Sequence, residues 1–261
     1  MKSTLHYTKN GYGNNSLILF HGFGQNNGIF KTWISALESV FTIYSFDLYY
    51  HGESTRADTK MSSEEWHEDF QSFLLREKID RFSIASFSLG GRFAIVSTIL
   101  FANKIESLIL VAPDGIYRSF WFNLATSKPG NPLFKYLMLH PERFNQILHF
   151  VETFGLAASQ MIRFAQKELA VKENRKKVYR TWTYFKTLQP DLKKFKAIVN
   201  HRHIPVHLVL GSKDYIIPAK EVTQKLVGIS ALTTHILEVK HHQLIEASKT
   251  LIPSLLKGGN L

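Results

Sequence analysis

The chain has 261 residues, with 32 Lys and Arg against 21 Asp and Glu, and a formal net charge of +11. That length suits one α/β domain carrying an insertion, and 44% hydrophobic against 20% charged residues is the balance of a globular chain with a sizeable core. Cysteine is absent, which excludes disulfides, thiolate nucleophiles and thiolate metal sites.

The N-terminal residues Met1–Tyr7 run into polar residues without the apolar stretch of a secretory signal, and no apolar run approaches the roughly 20 residues of a membrane span. The expectation is a soluble, cytoplasmic protein. The charge is unevenly placed. Between Ile116 and Arg202 there are 16 Lys and Arg against 5 acids, so this one segment carries the whole excess of +11.

In chain order, Leu5–Thr8 and Ser16–Phe20 read as strands around the turn Asn10-Gly11-Tyr12-Gly13. A helix follows, with Phe30, Trp33, Ile34 and Leu37 on one face. Phe41–Phe46 is a short apolar strand. Trp66, Phe70, Phe73 and Leu74 recur at helical spacing. Phe82–Ser86 reads as a strand, Leu89–Leu100 as a helix and Leu108–Ala112 as a strand. Pro113-Asp114-Gly115 breaks the alternation. From there to about Arg202 the pattern is helical, aromatic and basic, with stripes Phe144, Ile147, Leu148, Val151, Phe154 and Tyr179, Trp182, Phe185, Leu188. Strand Pro205–Leu210, helix Ala219–Val227, strand Thr234–Val239 and a last helix to Leu256 complete the chain. Strands alternating with helices predict a mostly parallel sheet flanked by helices. The expected organisation is a core of residues 1–115 and 203–261, interrupted by a helical cap over 116–202. An insertion leaving the carboxyl end of a strand is expected to lie over the site such sheets carry there.

Four elements carry chemistry. The first is Ser86-Phe87-Ser88-Leu89-Gly90-Gly91, a strand–turn–helix with small residues on either side of Ser88. A serine hydroxyl becomes a nucleophile when a tight turn presents it to a base and nearby amides stabilise the product charge. The plainer alternative is a serine in an ordinary glycine turn. The second is His21-Gly22-Phe23-Gly24, directly after a strand. Its glycines turn the backbone so that the Phe23 amide, with that of Leu89, forms an oxyanion hole, where one donor is typically worth about 3–4 kcal/mol. His21 reads as a scaffold residue. The third is the loop after Val209-Leu210-Gly211, where Asp214 is the natural orienting acid for a histidine; its alternative role is a helix cap. The fourth is His241-His242. The register of His242-Gln243-Leu244-Ile245 points to His242 as the base, and the spacing to Glu246 points to His241. His242 is preferred, with His241 as the alternative.

Four such elements, with the triad candidates in the chain order Ser, Asp, His, resemble the α/β-hydrolase superfamily. Asp47-Leu48-Tyr49-Tyr50-His51-Gly52-Glu53-Ser54 adds to the likeness, resembling the family's Asp-x-x-Gly-His-Gly-x-Ser stretch with Tyr50 in place of glycine. The resemblance implies a Ser88–His242–Asp214 triad, an α/β-hydrolase fold with an inserted helical cap, no cofactor and a small-molecule substrate. It does not fix the substrate, because this fold hosts many reactions; the leading expectation is hydrolysis of a carboxylic ester through an acyl-enzyme on Ser88. Two rivals stand beside it: a carbon–carbon bond lyase or hydrolase of the same fold, and a non-catalytic ligand-binding member. Arg92 extends the elbow to Ser-x-Gly-Gly-Arg, which resembles 2-succinyl-6-hydroxy-2,4-cyclohexadiene-1-carboxylate synthase and points to an anionic substrate. Phe87, Arg92 and the cap residues Phe150, Phe154 and Trp182 are the expected substrate contacts. The basic segment reads most simply as a solvated surface, with Lys172, Arg175, Lys176, Lys177 and Arg180 facing water. Contact with an anionic membrane surface is an alternative, and nucleic acid is not expected, since no binding module accompanies the charge. No spacing suggests a metal site.

Overall fold

A computed structural model describes residues 3–117, 119–157 and 159–258, with the side chains of residues 160, 161, 164 and 258 left aside. It contains seven strands in one sheet and divides into two compact units. The first comprises Met1–Ala57, Ser62–Tyr117 and Leu188–Leu261.

Its strands are β1 (Tyr7–Asn10), β2 (Asn15–Phe20), β3 (Phe41–Phe46), β4 (Phe82–Phe87), β5 (Ile105–Val111), β6 (Val206–Gly211) and β7 (Leu232–Leu237). The sheet order is β1-β3-β2-β4-β5-β6-β7. Every neighbouring pair is parallel except β1 with β3. The turn over Asn10–Gly13 therefore does not join a hairpin: β1 passes β2 by and pairs Tyr7 with Phe46 and Asn10 with Ile43. The central strands explain why the sheet is covered on both sides. Every residue of β4 is buried, and so are Leu17–Phe20 of β2. A continuous apolar run of this kind has no face to give to water. The edge strand β7 instead has no buried residue and mixes half-buried with exposed ones.

The helices of this unit include α1 (Lys31–Leu37), α2 (Ser63–Arg76) and α3 (Leu89–Leu100). α2 starts at a capping box, in which the Ser62 hydroxyl accepts from the Glu65 amide and the Glu65 carboxylate accepts from the Ser62 amide. Its buried face carries Trp66, Phe70, Phe73 and Leu74. Trp66 stacks on Phe70 at 5.2 Å between ring centres, meets Phe20 and Phe93 edge-on, and donates its indole N–H to Ser97 Oγ at 2.9 Å. α3 is buried without break from Leu89 to Thr98. It runs through the interior, and the turn that carries Ser88 is anchored on it.

The second unit comprises Asp58–Met61 and Arg118–Thr187. It is built from α4 (Phe120–Thr126), α5 (Gly130–Leu139), α6 (Pro141–Thr153), α7 (Ser159–Leu169) and α8 (Lys172–Tyr184). Trp182 stacks on Phe134 and meets Phe122 edge-on, both at 5.5 Å, which makes it part of this unit's own core. Arg175 is buried and donates to three carbonyls, those of Met138, Leu169 and Ala170. Its guanidinium ties the ends of α5 and α7 to α8. Arg180 pairs with Asp58 at 2.8 Å. Neither arginine is the freely solvated charge that the sequence suggested. The boundary expected at 203 also moves. α9 (Leu192–His201) packs on α3 and belongs with the sheet, because Phe195 and Val199 bury its apolar face there. The remaining helices, α10 (Ala219–Leu226), α11 (Leu244–Ala247) and α12 (Leu251–Gly258), belong to the first unit.

Candidate active site

Ser88 stands between β4 and α3 with φ 48° and ψ −115°, a backbone region that L-residues avoid. The turn is held from three sides. The Ser88 amide donates to the Val111 carbonyl at 3.0 Å, and the Ser88 carbonyl accepts from the amides of Gly91 and Asp114, each at 2.8 Å. The glycines are required by contact. A Cβ on Gly90 would lie 2.1 Å from the Phe20 carbonyl oxygen, and one on Gly91 would lie 2.5 Å from Pro113 Cβ. Ser86 takes the place where glycine is usual, and its hydroxyl donates to the Ile109 carbonyl at 3.3 Å, so the added polar group is satisfied inside the sheet.

His241 opens the short turn after β7, and its Nε2 lies 3.0 Å from Ser88 Oγ. Its Nδ1 lies 2.6 Å from Asp214 Oδ2. The other Asp214 oxygen, Oδ1, accepts from the amides of Ile216 and Ile217 at 2.8 and 2.9 Å. The Asp214 side chain is fully buried. An acceptor on Nδ1 assigns that proton to the Nδ1–H tautomer, which leaves the Nε2 lone pair facing the serine hydroxyl. The preference for His242 is therefore corrected to His241. His242 is exposed, one position further along a tight 3₁₀ turn whose geometry sends successive side chains in different directions.

Phe87, expected to touch substrate, is buried and lies against the His241 ring at 4.9 Å between centres. It also meets Gly22, where a Cβ would come within 2.9 Å of the ring. It braces the imidazole and the neighbouring turn. In that turn the Gly22 carbonyl accepts from the Gln25 amide at 3.3 Å, and the Gln25 side-chain oxygen accepts from the Gly22 amide at 3.0 Å. The Phe23 amide lies inside this closed loop and is not used to close it. The Leu89 amide is the first of α3, one of the N–H groups a helix leaves without an intrahelical partner. His21 is fully buried; its Nδ1 donates to the Gly22 carbonyl at 2.6 Å and its Nε2 accepts from the Leu48 amide at 3.0 Å. Gln25 was not singled out from the sequence, although His-Gly-x-Gly followed by an amide side chain is the signal that marks it.

The Asp47–Ser54 stretch is a hydrogen-bond hub. Asp47 accepts from the Asn27 and Glu53 amides and from His6 Nδ1, at 2.8, 3.0 and 2.9 Å. Burial pushes its carboxyl up, but these donors outweigh burial and hold it below the ordinary carboxylate value. Tyr50, in the glycine position, adopts φ 67° and donates its hydroxyl to the Ala57 carbonyl at 2.8 Å.

Arg92 does not face a solvent-filled anion site. Its side chain is 3% exposed and donates to Asp114 Oδ2 at 2.7 Å. Its charge is matched within the fold, so the argument for an anionic substrate from this residue falls. Phe150 and Phe154 are more than half exposed, their rings 4.4 Å apart against one another. Among the described residues, no three His, Asp or Glu side chains gather in a metal-binding group.

A family model described as the alpha/beta hydrolase fold matches residues 15–248, and the chain belongs to that family. Among solved structures, a thermophilic esterase from Thermogutta terrifontis superposes with a TM-score of 0.73 at 16% identity, covering 99% of this chain and 95% of that one. The enol-lactonase from Burkholderia xenovorans LB400 gives a TM-score of 0.67 at 15% identity, covering 98% and 96%. At these identities the likeness is one of fold. Among curated relatives, the 1-acylglycerol-3-phosphate O-acyltransferase ABHD5 of Rattus norvegicus is 27% identical over 116 residues, 43% of this chain and 33% of that protein. The abhydrolase domain-containing protein abhd-5.2 of Caenorhabditis elegans is 23% identical over 255 residues, 87% of this chain and 55% of that protein. The chain thus spans about a third of the length of the first of these and about half of the second.

Proposed function

We propose that the protein is a serine hydrolase that cleaves a carboxylic ester through an acyl-enzyme on Ser88. The observation that carries this reading is the hydrogen-bonded line from Ser88 Oγ through His241 to the buried Asp214. His241 Nε2 takes the hydroxyl proton as Ser88 Oγ bonds to the ester carbon. The carbonyl π pair moves onto oxygen, and the amides of Phe23 and Leu89 hold that charge. Asp214 keeps the ring oriented and stabilises the imidazolium. Collapse of the intermediate breaks the bond to the alcohol oxygen, and His241 returns the proton to it. A water molecule, deprotonated by His241, then attacks the acyl carbon; the bond to Ser88 Oγ breaks, His241 returns the proton to that oxygen, and the acid leaves.

The same acyl-enzyme would pass its acyl group to another alcohol, and an O-acyltransferase among the relatives gives that variant a specific motive. The carbon–carbon lyase reading has lost Arg92 as its anion contact, because that charge is taken by Asp114. One experiment addresses all readings. The protein is incubated with chromogenic esters of graded acyl length, with and without glycerol, and the products are identified. Free acid supports hydrolysis, and a glycerol ester supports transfer. Neither product from any ester, together with no fluorophosphonate labelling of Ser88, would favour the ligand-binding alternative.

A further inference from the structure

Helices α4–α6 of the second unit have two apolar faces. Phe122 and Thr126 of α4, Phe134, Leu137 and Met138 of α5, and Val151 of α6 are buried. A surface helix normally turns polar residues outward from such a face. Here the outward face is apolar as well. Phe120 and Leu124 are 68% and 47% exposed, one turn apart on α4. Ile147, Phe150 and Phe154 fall on one stripe of α6 and its cap, at 40%, 56% and 63%. Leu133 and Tyr136 of α5 meet that stripe across an open cleft of about 400 Å³, with Arg143 at its edge. Ten of the fifteen large apolar side chains exposed among the described residues belong to this unit, which concentrates them into a surface rather than scattering them.

The charge of the same unit says what covers that surface. Its sequence holds 13 Lys and Arg against 5 acids, a net of +8. Lys128, Lys135 and Arg143 are exposed on the segments that carry the apolar stripe. Glu142 and Glu152 share those helices, and Glu142 already lies 3.4 Å from His140. Two copies of the unit would meet at +8 each, and the α4–α6 segments themselves carry three basic residues, Lys128, Lys135 and Arg143, against the two acids Glu142 and Glu152. A surface offering hydrocarbon beneath a layer of negative charge is complementary on both counts. We propose that the α4–α6 face docks on a bilayer containing anionic phospholipid, with the aromatic and aliphatic side chains entering the interface and the basic residues meeting the headgroups.

This inference does not rest on turnover, so the full chain carrying Ser88→Ala should bind as the unaltered chain does. The test is flotation with phosphatidylcholine vesicles, with and without about 30% phosphatidylglycerol. The expected result is partitioning into the anionic vesicles at low salt, stronger by about tenfold than into the neutral ones. It should weaken at about 0.5 M salt, where the Debye length falls to roughly 4 Å. Phe150→Asp with Phe154→Asp should reduce bound protein by about tenfold at an unchanged melting temperature, since both rings are exposed. Lys128→Glu with Lys135→Glu should reduce binding to anionic vesicles alone. Failure of the unaltered chain to float with anionic vesicles would overturn the proposal. So would equal binding to both compositions, full binding by the Phe150 and Phe154 variant, or concentration-dependent dimerisation through this face without vesicle binding.

Discussion

His241 and Ser88 stand 153 positions apart in the chain and 3.0 Å apart through Nε2 and Oγ. The contact exists because β4 is central in the sheet, while β7 delivers the His241 turn beyond the ends of β5 and β6. If this contact is the working one, His241→Ala should lower kcat by about 10⁴-fold or more, as should Ser88→Ala. His242→Ala, at an exposed neighbour, should stay within about twofold of the unaltered protein. Steady-state kinetics on a chromogenic ester, with fluorophosphonate labelling as a second readout, decide the matter. A dead His242→Ala beside an active His241→Ala would place the base at His242 instead.

Asp214→Asn tests orientation apart from folding. An asparagine carbonyl still accepts the Ile216 and Ile217 amides, but its NH₂ cannot accept the Nδ1 proton of His241. The ring would then flip its tautomer. We expect kcat to drop by about 10⁴-fold with little change in melting temperature.

Arg92 and Asp114 give a different forecast. The pair is internal, and the Asp114 amide also holds the Ser88 carbonyl. Removing one partner of a buried pair costs about 3–5 kcal/mol, and the partial exposure of Asp114 favours the lower end. Arg92→Ala should therefore lower the melting temperature by several degrees. It should slow carboxylate-bearing and neutral esters alike. A selective rise in KM for carboxylate-bearing substrates at unchanged stability would restore Arg92 as a substrate contact.

His207 supplies a pH signature. Burial first, and then the His235 ring, hold its proton affinity below the ordinary histidine value. The unfolded chain thus takes up this proton before the folded one. The contribution is complete above the unfolded histidine value near about 6.5 and declines as the pH falls through it. Thermal melts from pH 7.5 to 5 should show falling stability, and His207→Gln should flatten part of that slope. An identical slope in the variant would assign the decline to other groups.

Much of this was legible in the sequence. The strand β3 and the helix α3 follow from apolar runs bounded by turn signals, and Ser88 and Asp214 follow from glycines, small residues and order along the chain. The choice between His241 and His242 did not, because it depends on how a short 3₁₀ turn aims two adjacent rings. Arg92 misled for a related reason. Its partner lies 22 positions away in the chain, beyond a strand, and spacing alone carries no sign of the pair. The pairing of β1 with β3 rather than β2 was likewise hidden, since a glycine-containing turn resembles a hairpin whether or not its arms meet. Helix α9 falls in the stretch to about Arg202 that reads as helical, aromatic and basic, whereas the burial of Phe195 and Val199 decides where it packs.

The left-handed backbone at Ser88 makes any side chain at this position a liability for folding. A residue with a Cβ at φ 48° carries a conformational cost of about 1–3 kcal/mol, which glycine largely avoids. Ser88→Gly should consequently melt at a higher temperature than Ser88→Ala, with both expected to be inactive. The elbow would then be a place where selection for reactivity and selection for durability pull the same codon in opposite directions.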